Sequence, residues 1–226
     1  MNAGETQRTP WIVGVSGASG TPYAAAVLRA LLDAGHSVDL VVSRASRLTL
    51  LDETGISFRD AHWQDDLREW LARGADGKPA TFTCDIARVR YWNAGDLAAG
   101  PSSGSYPAKG MIIVPASTAC VAGVALGLSK DLLQRAASVT LKERRTLVVA
   151  VRETPLNGQT LRHLVALDDA GAAVVPASPG FYAGATHIQD LVDFVAGRVL
   201  DAAGVEHRLY RRWQGGLGGG AGTPGE

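Results

Sequence analysis

The chain has 226 residues, of which 46% are hydrophobic, and it carries 22 basic and 22 acidic side chains. This length suits one domain, and the hydrophobic content can form a sizeable core, which excludes a wholly disordered protein. A formal net charge of zero lacks the basic excess of a dedicated nucleic-acid-binding protein and favours association between copies.

Cysteine content and the two chain ends limit the class of protein further. The cysteines, Cys84 and Cys120, are too few for a disulfide scaffold, and no CxxC pair suggests zinc. The start, MNAGETQRTPWIVGVSG, has no apolar stretch long enough for a signal peptide or membrane span, so we expect a cytoplasmic protein without a membrane partner. Residues 1–10 are predicted to be flexible, and the glycine-rich residues 214–226 to be disordered.

Between these ends, apolar runs of strand length alternate with helical patterns. The strand-like runs are residues 11–15, 38–43, 111–114, 146–151 and 172–175. Helical patterns cover about residues 21–35, 119–143, 158–169 and 188–203, and the first begins with Thr21 as N-cap and Pro22 at the first helical position. We therefore predict a single α/β domain over residues 11–213, built as a three-layer parallel sheet of the Rossmann or flavodoxin type.

The stretch from residue 55 to 107 has a weaker pattern. Residues 62–72 fit an amphipathic helix and residues 74–78 a loop, and the Gly, Ser and Pro content of residues 91–110 predicts a loop. Ligands of parallel α/β sheets bind beyond the carboxyl ends of the strands. The strand ends are therefore the candidate site.

The first strand runs into a glycine-rich turn, GVSGASG at residues 14–20. Glycines allow a sharp turn, and free N–H groups at the start of the next helix attract a phosphate. A dinucleotide fingerprint needs GxGxxG and an acidic residue ending the second strand, whereas here the spacing is GxxGxxG, Asp39 lies inside the second strand, and Ser43 ends it. This disfavours NAD and leaves either a mononucleotide phosphate site or a turn kept only for packing.

Polar residues also follow the third and fourth predicted strands. Ser117 and Thr118 lie at a strand-to-helix junction, where hydroxyls and amides either bind a phosphate or flavin edge or cap the helix. Arg152 and Glu153 follow the fourth strand directly. A charge pair at a carboxyl strand end favours a role in ligand binding.

Further basic and aromatic residues are candidates for holding an anion. Arg135 and Lys142 are seven residues apart and share a helix face, although Lys142 could simply complement a helix C-terminus. Tyr182, with Arg198 as a basic partner, could hold an anionic group through its hydroxyl or serve as a core aromatic. Trp213, near the end of the ordered chain, is expected to pack on a neighbouring copy or on the active site.

The sequence gives no support for metal or hydrolase chemistry. The five histidines show no metal-ligand spacing, and HExxH, Walker A and nucleophile-elbow motifs are missing from the sequence. We therefore predict no metal site.

Several unusual motifs together carry a family resemblance. They are SGASG at 16–20, PAST at 115–118, RAASVTLKERR at 135–145, VRETPL at 151–156, PGFY at 179–182 and RRWQG at 211–215. In this order and spacing they closely resemble the UbiX-type flavin prenyltransferases. The resemblance covers about residues 11–60 and 110–215 and weakens between residues 58 and 100.

The resemblance implies an activity and a set of site residues. Members of the family join the dimethylallyl group of dimethylallyl monophosphate to N5 and C6 of reduced FMN, without a metal, and the prenylated FMN serves a UbiD-type decarboxylase. Homo-oligomers, often dodecamers, are usual. By resemblance the donor would meet Arg135, Lys142, Tyr182 and Arg198, with Lys142, Glu53 and Glu153 as catalytic residues. The implied FMN contacts are Gly17, Ala18, Ser19, Ser43, Ser117, Thr118, Ala119, Cys120 and Arg152.

Two alternative functions belong to related classes. A flavin-dependent cysteine decarboxylase shares this kind of fold but uses a histidine base and a PxMN-type clamp, for which this chain, with only Met1 and Met111, has no counterpart. The other alternative is a non-catalytic flavin-binding subunit of an aromatic acid decarboxylase.

Overall fold

A computed structural model describes residues 8–80, 85–213 and 215 of the chain. The predicted flexible residues 1–7, and the predicted disordered tail apart from Gly215, lie outside the described residues, as does Cys84. Of the remaining N-terminal residues, Arg8 donates to the carbonyl of Val38 at 2.7 Å, and Pro10 accepts from the backbone N–H of Lys109 at 2.9 Å. The domain boundary at residue 11 stays a prediction.

Among the described residues, six parallel strands form one sheet in the order β3-β2-β1-β4-β5-β6. They are β1 Trp11–Val15, β2 Val38–Val42, β3 Val89–Asn93, β4 Gly110–Ala116, β5 Thr146–Val151 and β6 Ala173–Pro176. The chain direction across the sheet reverses between β1 and β4, which is the switch point at which Rossmann-type sheets bind ligands. The predicted three-layer parallel α/β fold is confirmed.

Over the ranges that the structure describes, seven helices cover the two faces of the sheet. They are α1 Thr21–Asp33, α2 Arg44–Thr54, α3 Trp63–Leu71, α4 Thr118–Ala125, α5 Leu132–Lys142, α6 Gly158–Asp169 and α7 Ile188–Ala202. Residues of α1, α3 and α7 share one apolar core with Val13 of β1, whereas α4 and α5 share the other with its neighbour Ile12. Successive strand residues point to opposite faces, and this is why the central strands are apolar throughout.

Strand β3 was not predicted. Its segment VRYWN is an edge strand with exposed Arg90 and Asn93, so it lacks the continuous apolar run of the central strands, and the predicted loop over residues 91–110 is wrong at its start. Short 3-10 turns at Asp60–His62, Ile86–Arg88 and Gly100–Ser102 complete the region. Within residues 8–80, 85–213 and 215, no helix combines the length and apolar character needed to cross a bilayer.

The start of α1 differs from the sequence prediction. Gly20, not Thr21, is the N-cap residue, and its φ of 114° lies in the left-handed region that favours glycine. A Cβ added at Gly20 would also lie 2.7 Å from the ring of Tyr23. The turn therefore requires glycine at this position for two independent reasons.

We expect Gly20→Ala to destabilise the protein more than Gly35→Ala. Both glycines have positive φ, but a Cβ at Gly35 meets nothing within 4 Å, so the control carries only the left-handed strain of about 1–2 kcal/mol. Thermal unfolding of the two variants measures the difference. Equal unfolding temperatures would contradict a tight contact between Gly20 and Tyr23.

Candidate functional site

A buried serine joins the two loops at the switch point. Ser16, which follows β1, donates its hydroxyl to the carbonyl of Pro115 at 2.8 Å and accepts from the backbone N–H of Ser117 at 2.7 Å. Ser117 in turn caps α4 by accepting from the N–H of Cys120 at 3.3 Å. The predicted site segments 17–19 and 117–120 are thus held together. Ser16 itself was not predicted, although its place between two glycine-turn residues was a signal.

The carboxylate of Glu53 occupies the N-terminus of α1. It accepts from the backbone N–H groups of Gly20 and Thr21, both at 2.8 Å, and from the Thr21 hydroxyl at 2.6 Å. The expectation that these two N–H groups are free to attract a phosphate is therefore wrong.

The same hydrogen bonds set the charge of Glu53. Its partial burial raises the pKa, but hydrogen bonds from Ser19, Thr21 and the Gly20 backbone outweigh that effect and hold the pKa below its ordinary value. Glu53 is therefore an ionised carboxylate at neutral pH.

Arg152 reaches the glycine turn from the opposite side. It follows β5, and its Nε donates to the carbonyl of Ser19 at 3.0 Å. Glu153 beside it is exposed and accepts from the backbone N–H of Thr154 at 3.0 Å. Tyr23, a half-buried residue that sequence analysis did not select, interacts electrostatically with both Arg152 and Glu53, while burial raises its pKa.

The remaining predicted flavin contacts lie at the same edge. Ser43 caps α2 by accepting from the N–H of Ser46 at 3.1 Å, and its own N–H donates to the carbonyl of Val15 at 3.0 Å. A Cβ on Gly17 would lie 2.4 Å from the Cβ of Ala45, so the turn packs closely on α2. Cys120 is buried, and burial raises the pKa of its thiol to about 12, which keeps it neutral.

Lys142 lies at the other edge of the sheet. It ends α5, four residues before β5 begins, whereas Glu153 follows the far end of β5. The strand alone separates these edges by about 16 Å. Lys142 is half exposed and pairs with its neighbour Glu143, and Arg135, one helical turn into α5, donates from Nε to the carbonyl of Ser102 at 3.1 Å.

Tyr182 and Arg198 form a third group around α7. The Tyr182 ring packs edge-on against Phe194 and Trp213, with ring centres 5.4 and 5.9 Å apart. Arg198 pairs with Asp201 at 2.8 Å and donates to the hydroxyl of Tyr210 at 3.4 Å. Since Phe194 also packs on Tyr210, at 4.9 Å, one aromatic cluster connects Tyr182 with Arg198. Tyr182 and Arg198 thus belong to one cluster. Within one protomer, Lys142 lies at the edge of the sheet opposite the carboxyl-edge residues, which are those that follow the carboxyl ends of the strands.

Comparison with known proteins decides the family. The Flavoprotein family model matches residues 2–200. The flavin prenyltransferase UbiX of Streptomyces coelicolor is 89% identical over 210 residues, which are 93% of this chain and 97% of that protein.

The chain belongs to the UbiX flavin prenyltransferase family. The predicted family and enzyme class are thereby confirmed, and so is its flavoprotein character. In the part of the chain that the structure describes, no group of three or more His, Cys, Asp or Glu side chains is arranged to hold a metal ion.

Two solved UbiX-type structures have the same fold. AnUbiX (PadA1), in complex with FMN and dimethylallyl pyrophosphate, superposes with a TM-score of 0.77 at 35% identity, over 92% of this chain and 98% of that one. A dodecameric FMN-dependent UbiX-like decarboxylase from Escherichia coli O157:H7 gives 0.76 at 37% identity, over 92% and 100%. This UbiX family member therefore shares its fold with both of these proteins.

The charge of Glu53 predicts a pH dependence of stability. Because its folded pKa lies below the ordinary 4.5, its stabilising contribution is fully present above that pH and is lost as pH falls through the folded pKa. The unfolding temperature of Glu53→Gln should therefore be lower than that of the unmodified chain at pH 7, and the gap should shrink below pH 4.5. Asp52→Asn, one residue earlier on α2 and exposed, is the control; a gap independent of pH would contradict the assignment.

Proposed function

We propose that this chain transfers the dimethylallyl group of dimethylallyl monophosphate to N5 and C6 of reduced FMN and supplies the prenylated FMN to a UbiD-type decarboxylase. The observation that carries the proposal is the 89% identity, over nearly the whole chain, to a flavin prenyltransferase. The relative solved with FMN and dimethylallyl pyrophosphate supports the same pair of ligands.

The carboxyl-edge residues fit a flavin. Gly17, Ala18 and Ala119 add little side-chain bulk to the two loops that Ser16 joins. Flavin carbonyls and a phosphate pair with hydroxyl and guanidinium groups. This edge has the guanidinium of Arg152 and the hydroxyls of Ser19, Ser43, Ser117 and Thr118. Reduced FMN bound there supplies the electron-rich atoms that accept the five-carbon unit.

Cationic residues would bind the departing phosphate. Breaking the allylic C–O bond of the singly protonated monophosphate leaves an allyl cation and a hydrogen phosphate dianion, and positive groups fixed around that dianion lower the barrier by several kcal/mol. Arg135, Lys142 and Arg198, with the Tyr182 hydroxyl, are assigned this role. A monophosphate is a poorer leaving group than a diphosphate, so a preorganised cationic site suits it.

The placement of Lys142 supports a site shared between copies. One protomer holds Glu153 and Lys142 at opposite edges of the sheet, so a complete site needs Lys142, with Arg135 on the same helix, from a neighbouring protomer. Exposed apolar side chains offer surface for such an interface. They include Leu126, Leu128, Leu161, Val165, Phe181 and Ile188. The formal net charge of zero also favours association between copies. We propose a homo-oligomer, and the dodecameric relative supports twelve subunits.

The two carboxylates receive different roles. Closing the new ring releases a proton from C6, and Glu153, exposed beside Arg152, is assigned to accept it. Glu53 is already held by Gly20 and Thr21, so its role is to fix the glycine turn. We also propose a cytoplasmic location, since a reduced flavin suits a reducing compartment.

Anaerobic incubation with reduced FMN and dimethylallyl monophosphate should increase the mass of the flavin by one five-carbon unit. Lys142→Ala and Glu153→Gln should each lower the rate about 100-fold while retaining FMN binding. Lys78→Ala, an exposed lysine paired with Asp76, is the control and should keep the full rate. Unchanged flavin mass with the unmodified chain would favour the non-catalytic subunit, and release of CO₂ from a cysteine-ended peptide would favour the decarboxylase.

Mixing subunits tests the shared site. When Lys142→Ala and Glu153→Gln chains are reassembled together at equal amounts, about a quarter of the sites should contain both native residues and regain activity. Each variant reassembled alone should stay inactive. If the mixture also stays inactive, Lys142 and Glu153 do not meet across an interface.

A further inference from the structure

The function proposed above assigns no role to a fully buried carboxylate in β2. Asp39 has 0% exposure within the otherwise apolar strand VDLVV. It accepts from the indole Nε1 of Trp92 at 2.9 Å and from the hydroxyl of Tyr106 at 2.7 Å, and it forms an ion pair with Arg8. Burying a carboxylate is costly unless donors satisfy it. This arrangement therefore draws donors from three separate segments to one point.

One of these donors belongs to the segment between β3 and β4. Residues 94–109, here called the β3–β4 loop, contain Tyr106. The raised pKa of Tyr106, about 12, follows from its burial and from its hydrogen bond to Asp39, so its hydroxyl stays protonated and able to donate. The Tyr106 ring also packs edge-on against Trp92, with ring centres 6.5 Å apart.

The same loop contacts α5 and Arg145, which follows α5 directly before β5. The carbonyl of Ser102 accepts from Arg135 Nε at 3.1 Å, and the carbonyls of Gly104 and Tyr106 accept from Arg145 at 2.7 and 2.9 Å. At Gly104 an added Cβ would lie 2.5 Å from Nζ of Lys142. The loop therefore contacts both α5 cations that the proposed function assigns to the departing phosphate.

We propose that Asp39 is a positioning residue for the phosphate of the prenyl donor, because through Tyr106 it fixes the β3–β4 loop against α5 and thereby orients Arg135 and Lys142. The inference rests on the proposed function. In a shared site, Asp39 of one protomer acts on the donor bound by its neighbour. Asp39 itself touches neither flavin nor donor.

Tyr106→Phe tests this inference with the smallest change. It removes the hydroxyl that bonds Asp39 and keeps the ring that packs on Trp92. We expect KM for dimethylallyl monophosphate to rise about fivefold to tenfold, the Kd of FMN to stay unchanged, and amide hydrogen exchange in residues 100–106 to accelerate.

Tyr91→Phe is the matched control. The hydroxyl of Tyr91 also bonds a carboxylate, Asp60, and accepts from Arg47 at 2.7 Å, but it lies on β3 outside the β3–β4 loop. The Tyr91→Phe substitution should leave KM for the donor and amide hydrogen exchange in the β3–β4 loop unchanged. An equal rise in KM for both variants would overturn the inference, because loss of any tyrosine hydroxyl in this region would then suffice.

A double-mutant cycle separates positioning from general stability. In an Arg135→Ala background, Tyr106→Phe should raise KM for the donor clearly less than in the native background, because part of its effect passes through Arg135. Fully additive effects, or faster loop exchange with an unchanged KM, would overturn the inference.

Failure of the proposed function would be visible separately. If the unmodified chain makes no prenylated flavin, calorimetry with inorganic phosphate still measures how tightly Arg135 and Lys142 bind an anion. Weaker phosphate binding by Tyr106→Phe than by Tyr91→Phe would support the positioning role of Asp39, and equal binding would overturn it.

Discussion

The hydroxyl of Ser16 is the contact on which the site depends. It bridges the ends of β1 and β4, by donating to Pro115 and accepting from Ser117, at the point where the sheet reverses direction. The backbone N–H of Ser16 also donates to the carbonyl of Pro115, at 3.2 Å, whereas the link to the start of α4 at Ser117 comes from the hydroxyl. A buried hydroxyl without these partners would be costly, so the bridge also excludes alternative arrangements of the two loops.

Much of the fold was predictable from the sequence because the central strands are buried on both faces and therefore read as apolar runs. Edge strand β3 was missed because Arg90 and Asn93 are exposed and interrupt that pattern. The rule that ligands bind at carboxyl strand ends pointed to the glycine turn, to Ser117 with Thr118 and to Arg152 with Glu153, whereas the full set of proposed FMN contacts came from the family resemblance. Asp39 was judged only as a poor ribose ligand, since its partners Trp92 and Tyr106 are 53 and 67 residues away in the chain.

The residues proposed to bind the prenyl donor show a different limit of prediction from sequence. The spacing of Arg135 and Lys142 placed them on one helix face, and their link to a phosphate came only from the family resemblance. No pattern in a single chain records which residues meet across an interface. The structure separates the edge with Lys142 from the edge with Glu153, so that the proposed chemistry makes assembly a requirement for activity instead of an aid to solubility.

The burial of Cys120 bears on oxidative damage. Reduced flavins react with oxygen to give hydrogen peroxide, and peroxide attacks thiolates far faster than neutral thiols. With a pKa raised to about 12 and almost no exposed surface, Cys120 stays protonated and shielded. The proposed FMN contact at the first turn of α4 would therefore place a neutral, buried thiol beside the flavin, and not a reactive thiolate.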